Sequence, residues 1–169
     1  MSKKKILLLS DDLRMHSGVA TMSRELVMGT VHHFDWVQMA GAIKHPDQGQ
    51  VVNMDEACNQ LTSRKDCYLR LYPTHEYGND EVLFEIMVRE KPDAILHFTD
   101  PRFWIWLYAI ENQIRSKIPL TYLTIWDDLP YPMWNKPYYK SCDALFGISR
   151  QTDNIVEQVL GSENCIRMK

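Results

Sequence analysis

The 169-residue sequence predicts a single α/β domain of the open, doubly wound kind, with helices packed on both faces of a mostly parallel sheet. Three observations predict it. Short apolar runs of strand length recur along the chain, each bounded by polar or turn residues. Helical segments with their own capping residues separate these runs, and that alternation builds parallel strands through right-handed crossovers. Most of the runs also end in a polar cluster, as expected where strands stop at one rim of a sheet and a ligand cleft opens beyond them.

The elements follow in order. Lys5 to Ser10 is a short apolar run with a basic lead-in, the pattern of a central strand buried on both faces, and it stops at Asp11-Asp12. After the loop Leu13 to His16, Ser17 is placed to cap a helix in which Val19, Met22, Leu26 and Gly29 recur at helical spacing. Phe34 to Ala40 reads as a second strand. Lys44 to Asp66 is polar and aperiodic, an insertion over the sheet edge with a short helix near Asp55 to Leu61. Cys67 to Tyr72 alternates as a strand, and a helix runs from Asn79-Asp80 through Glu90 until Pro92 stops it. The strand Asp93 to Phe98 leads into Thr99-Asp100-Pro101, where Asp caps a helix and Pro fills its first turn. Phe103 to Ile110 is apolar almost all round, which predicts a helix buried on more than one side. Pro119 to Ile125 is a further strand ending near Asp127-Asp128. The aromatic, Pro-broken stretch Leu129 to Tyr139 follows, then the strand Asp143 to Ile148 and a helix capped by Ser149 that closes at Gly161.

Composition narrows the partners. Hydrophobic residues make up 45% of the chain, enough for a sizeable core. The net charge of -3 offers no basic field to neutralise a nucleic-acid backbone, so nucleic acid is not an expected partner. Lys3-Lys4-Lys5 precede only Ile6 to Leu9 before the acidic pair. That run is too short for a signal peptide or a transmembrane segment, which points to a cytoplasmic protein. Cys58, Cys67, Cys142 and Cys165 form no C-x-x-C pair and no regular His/Cys spacing, so reduced thiols are expected rather than disulfides or a metal site.

Asp11, Asp12, His16, His97, Asp100, Arg102, Asp127, Asp128, Ser149 and Arg150 all fall just past a strand's last apolar residues, so one rim should gather them. Ser17-Gly18-Val19 at a helix start offers backbone N–H groups and the positive end of a helix dipole to a diphosphate, although Gly18 serves equally to let the helix pack close to the sheet. His97 with Asp100 and Arg102 can polarise a sugar hydroxyl, or can be a structural strand histidine beside a helix cap. Trp126, Tyr131, Trp134, Tyr138 and Tyr139 form either a sugar-stacking wall or an apolar lid. Neither G-x-G-x-x-G, nor a P-loop, nor a G-x-S-x-G elbow is present.

Three segments together resemble the N-terminal domain of the retaining GT-B family of nucleotide-sugar glycosyltransferases. They are Ile6 to Leu9 with Ser17-Gly18-Val19-Ala20 and Arg24-Glu25-Leu26; Lys91-Pro92-Asp93-Ala94-Ile95-Leu96-His97; and Ile118 to Ile125 with Asp127, followed by Cys142 to Ser149. Ser17 stands where the family usually has a second glycine, and Trp126 where it has a histidine. The resemblance implies a Rossmann-like fold and transfer of a sugar from a nucleoside diphosphate sugar, the co-substrate, to an acceptor hydroxyl with retention. No further cofactor is implied. It assigns His97 and Asp127 to the reacting sugar and acceptor, and Gly18 and Ser17 to the diphosphate. Asp12, His16, Arg102, Trp126, Asp128, Tyr131, Trp134, Ser149 and Arg150 would contact the substrate. It also implies a second α/β domain, in cis beyond Lys169 or from a partner chain, carrying the charge that holds the donor phosphates, so that these residues alone would be inactive. The alternative is a stand-alone module binding a phosphorylated small ligand or a protein partner.

Overall fold

The computed structural model describes residues 2–42, 46–126 and 128–162. Strand β1 (Lys4–Asp11) lies at the middle of a seven-stranded sheet. Strands β2 (Phe34–Gly41) and β5 (Ala94–Phe98) flank it, both parallel to it. Beyond β2 lies β4 (Leu69–Pro73), with the two-residue β3 (Val52–Asn53) antiparallel at that edge. Beyond β5 lie β6 (Leu120–Thr124) and β7 (Ala144–Gly147), both parallel. Along the parallel strands the chain moves outward from β1 through β2 to β4, then returns to the other side of β1 for β5, β6 and β7. This is a Rossmann-like order, and its direction reverses between β1 and β5.

The buried centre explains why β1 is apolar at successive positions. Leu7 and Leu9 turn to one face, where they meet Val37, Met39 and Ile95 beneath α3 (Asp80–Glu90), α4 (Ile105–Ala109) and α5 (Glu111–Arg115). Leu8 turns to the other and meets Val27, Trp36 and Phe98 beneath α1 (Gly18–Thr30) and α2 (Asp55–Thr62). Burying each of these leucines contributes about 1.5–3 kcal/mol. A third cluster, Tyr122 and Tyr139 with Ile155 and Val159, sits under α6 (Lys136–Lys140) and α7 (Arg150–Leu160) at the far edge.

The strands expected from Lys5, Asp93, Pro119 and Asp143 each begin within one residue of that position and share one parallel sheet. Two expectations need correction. The insertion carries a strand, β3, which is too short to leave a periodic signal. The expected helix Phe103 to Ile110 is instead a 3₁₀ turn (Pro101–Trp104) followed by α4 and α5. Trp104 is driven into the core with φ -118° and ψ 32°, outside helical geometry, and this breaks the helix. As a result Leu107 and Tyr108 face inward while Phe103 and Ile105 are exposed, so the segment is not buried all round. No helix among the described residues is long and apolar enough to cross a membrane. The three described cysteines are free thiols.

Candidate functional site

Where strand order reverses, the loops leaving β1 and β5 part in opposite directions and open the usual place for a ligand in such sheets. The side chain at the centre of this place is Asp11, the last residue of β1. Its carboxylate accepts from Ser17 Oγ at 2.9 Å and faces the Tyr77 hydroxyl at 3.4 Å. Ser17 Oγ in turn accepts from the amide of Ala20 at 3.0 Å, which caps α1. One hydroxyl thus ties the carboxylate to the helix start.

The loop beneath is fixed by polar groups inside the sheet. Gln38, buried within β2, donates Nε2 to the Asp11 carbonyl at 2.6 Å and accepts from the Leu13 amide at 3.1 Å. Ser10 and Ser23 bond through their hydroxyls at 2.7 Å and pin β1 to α1. Asp12, expected at the substrate, is 1% exposed and consumed by the loop. It accepts from the amide of Arg14 at 2.8 Å and from the Arg14 guanidinium at 2.7 and 3.0 Å. Arg14 also pairs with Asp47 at 2.9 Å. Its pKa is raised chiefly by the Asp12 hydrogen bond. Asp12 is therefore a loop clamp, because a nearly buried carboxylate with a guanidinium at hand is held by that partner.

His16 and Gly18 lie exposed at the rim. A Cβ built on Gly18 meets nothing within 4 Å, so glycine is not there to let α1 approach the sheet. Its amide and that of Val19 belong to the first turn, where helical N–H groups lack intrahelical acceptors.

Across the switch point, Asp100 caps the 3₁₀ turn through the Arg102 amide at 2.9 Å and grips the Arg102 guanidinium at 3.0 and 2.5 Å. Burial alone would raise the Asp100 carboxyl, but these Arg102 bonds outweigh it and hold the pKa below the ordinary value. Arg102 is thus committed to its neighbour.

His97, expected to open on the rim, is fully buried. It lies flat on Tyr122 at 4.9 Å, meets Trp104 edge-on at 5.1 Å and bonds the Tyr108 hydroxyl through Nδ1 at 2.8 Å. Burial depresses its pKa to about 3, so it is a neutral ring near pH 7. The physical reason is alternation: the residue before Phe98 falls on the face that Trp104 and Tyr108 cover.

At the end of β6, Trp126 packs edge-on against Trp134 at 5.5 Å and donates Nε1 to the Asp128 carbonyl at 2.9 Å. The Asp128 carboxylate accepts from the Leu129 amide at 2.7 Å, and Leu129, Tyr131, Met133 and Trp134 are exposed. Asp127 lies outside the described residues. At the end of β7, Ser149 caps α7 through the Thr152 amide at 3.1 Å and Arg150 is exposed beside it. The expected residues thus fall along one rim as separate groups at the ends of β1, β5, β6 and β7. Among the expected diphosphate and substrate residues, Ser17 bonds the Asp11 side chain.

Sequence reasoning missed Tyr77 and Gln38. Tyr77 sits in the loop after β4, and its signal was position just past a strand. The signal for Gln38 was a lone polar residue between Val37 and Met39. A cleft of about 440 Å³ lies outside the switch point, between the turn at residues 48–51 and α3, lined by His75, Glu76, Asn79, Glu85 and Arg89 among others. Among the described residues no group of three or more His, Cys, Asp or Glu is placed to hold a metal ion.

No family model matches the chain, and comparison with curated proteins and with solved structures finds no match. Chemistry at the rim is therefore the guide to function. The switch point offers carboxylate and hydroxyl groups beside aromatic faces, and the guanidiniums of Arg14 and Arg102 in the loops after β1 and β5 are each paired with aspartate. That set suits hydroxyl groups better than a diphosphate, which needs free cationic donors.

Proposed function

We infer that the chain is the acceptor-side, N-terminal domain of a retaining nucleotide-sugar glycosyltransferase of the GT-B type. The observation that carries the reading is the Asp11 carboxylate at the reversal of strand order, joined to the Ser17 cap beneath the exposed start of α1. In this reading the rim binds the hydroxyl-bearing substrate. Asp11 and Asp127 accept hydroxyl protons, the first-turn amides at Gly18 and Val19 lie toward the leaving diphosphate, and the segment from Trp126 to Trp134 walls the acceptor. His97 does not touch substrate; it holds the β5 end and the turn carrying Asp100 in place. A second nucleotide-binding domain, in cis or from a partner, brings the cationic groups that stabilise the departing diphosphate, because the transition state is oxocarbenium-like and the charge develops on the leaving group.

The reading is tested by titrating the chain with monosaccharides and, separately, with nucleoside diphosphates, followed by product assays with nucleotide sugars. Weak sugar binding, weaker nucleotide binding and no sustained transfer until a nucleotide-binding domain is supplied are expected. Tight nucleotide binding, or sustained transfer by these 169 residues alone, overturns it. A second reading, a stand-alone interaction module, draws support from the exposed Leu129, Tyr131, Met133 and Trp134. It predicts that alanine at Trp134 abolishes capture of a protein partner and that none of the monosaccharides binds the chain.

A further inference from the structure

Tyr77 leaves the end of β4 and carries its ring across the ends of β2 and β1 to the switch point. There the ring lies parallel to Phe103, with centroids 5.4 Å apart and 11° between planes, and against Trp104 at 5.2 Å. Its hydroxyl faces Asp11 Oδ1 at 3.4 Å. A six-membered ring, flat on an aromatic face with a hydroxyl on a carboxylate, is also the way a pyranose satisfies its apolar C–H face and its polar rim at once.

The ring packs on the core edge beside Trp104 and Gly41, but its polar end is held loosely. A separation of 3.4 Å exceeds the ordinary O–H···O range, and Phe103 is 59% exposed, so the stack stands at the solvent boundary. The backbone that carries the ring is held firmly. The Ala42 amide donates to the Glu76 carbonyl at 2.7 Å, and the Thr74 amide to the Ala40 carbonyl at 2.9 Å. Glu76 and Gly78, on either side of Tyr77, take left-handed φ values of 49° and 68°. At Gly78 the φ of 68° strains any other side chain, so glycine holds this turn in place. With the main chain anchored and the side chain weakly bonded, rotation about Cα–Cβ is the motion left to Tyr77.

We propose that the space between Phe103 and Asp11 is a pyranose subsite which Tyr77 fills in the free protein and vacates when a sugar ring takes its place. The class of ligand rests on the glycosyltransferase reading; the exchange itself rests on Tyr77 and its contacts. Asp11, only 7% exposed with Tyr77 in place, becomes reachable when the ring leaves.

The test is a chemical-shift titration of the whole chain with glucose, galactose, mannose and N-acetylglucosamine. It compares the unaltered protein, Tyr77→Ala, Tyr77→Phe and the double variant Tyr77→Ala/Phe103→Ala, each checked for an intact fold by thermal melting. At least one sugar should bind Tyr77→Ala about tenfold more tightly, because the competing ring is gone. The shifts should centre on Ser17, Phe103 and Trp104, and the double variant should lose the gain. Tyr77→Phe keeps the stack without the hydroxyl and should gain about threefold, which carries the test if the alanine variant does not fold. Equal affinity in all proteins, or shifts centred on Glu85 and Arg89 in the outer cleft, overturns the exchange while leaving the functional reading standing. If none of the proteins binds any of these sugars, the glycosyltransferase reading falls and the exchange falls with it.

Discussion

The imidazole of His97 lies on the phenol ring of Tyr122 with centroids 4.9 Å apart and only 19° between planes. The two residues are register partners on β5 and β6, so the pleat that aligns the strands also stacks the rings. Trp104 and Tyr108 close the cage, and burial leaves the imidazole neutral with a pKa of about 3.

Acid should therefore destabilise the protein through His97. In the unfolded chain the group titrates near 6.5, so between about 6.5 and about 3 the unfolded state binds the extra proton. Stability is full above that window and falls as pH drops through it, by up to about 1.4 kcal/mol per pH unit. His97→Phe keeps a ring in the cage but cannot be protonated. It should lose roughly 1 kcal/mol at pH 7 with the Tyr108 hydrogen bond and show a flatter dependence between pH 7 and 5. Guanidinium denaturation at the two pH values checks this, and identical slopes for both proteins would refute it.

Glu90, at the end of α3, should act as a clamp. Burial pushes its carboxyl up, but the hydroxyls of Tyr72 at 2.5 Å and Tyr68 at 2.7 Å, with the Lys5 ammonium at 3.0 Å, outweigh burial and hold the pKa below the usual value. The folded pKa is depressed, so this stabilisation is present above the unfolded carboxyl's pKa and is lost as pH falls through the folded value. Glu90→Ala strips three partners at once and should cost about 2–4 kcal/mol at neutral pH, less at pH 3, by chemical denaturation.

Two glycines should respond in opposite ways. Gly18→Val should leave the melting temperature nearly unchanged, because a Cβ there meets open space. Gly147→Ala should cost about 1–3 kcal/mol, because its Cβ would stand 2.9 Å from the Asp153 amide and 2.3 Å from its carboxylate at the start of α7. A melting series settles both, and a large loss at Gly18 would restore its packing role.

Removing the Ser17 hydroxyl should cost more than an ordinary helix cap. Ser17→Ala loses the Ala20 bond, worth about 1 kcal/mol, and leaves Asp11 without its 2.9 Å donor, so a total near 2 kcal/mol is expected. Ser149→Ala also loses a cap bond at α7, together with a 3.0 Å bond to the hydroxyl of buried Thr152, but it strands no carboxylate and should cost less. A Ser17→Ala loss no larger than the roughly 1 kcal/mol of an ordinary cap in thermal denaturation would mean that the Asp11 contact contributes nothing.

Local pattern determined the fold class, the central strand and the caps. Leu7, Leu8 and Leu9 in succession demand burial on two faces, and Ser17, Asn79, Asp100 and Ser149 each bond the amides of their own first turn, an arrangement complete within a few residues. The rim was legible for the same reason, since a polar residue just past an apolar run sits at a strand end. Tertiary structure alone decided which rim residues are available. Asp12 is taken by Arg14 two residues away, Arg102 by Asp100, and His97 by rings that arrive from the next helix and the next strand. Tyr77 reaches Asp11 across 66 positions of sequence. Strand order brings such partners together, and it depends on which apolar faces pack best across the whole sheet, a long-range choice that periodicity within one segment does not encode.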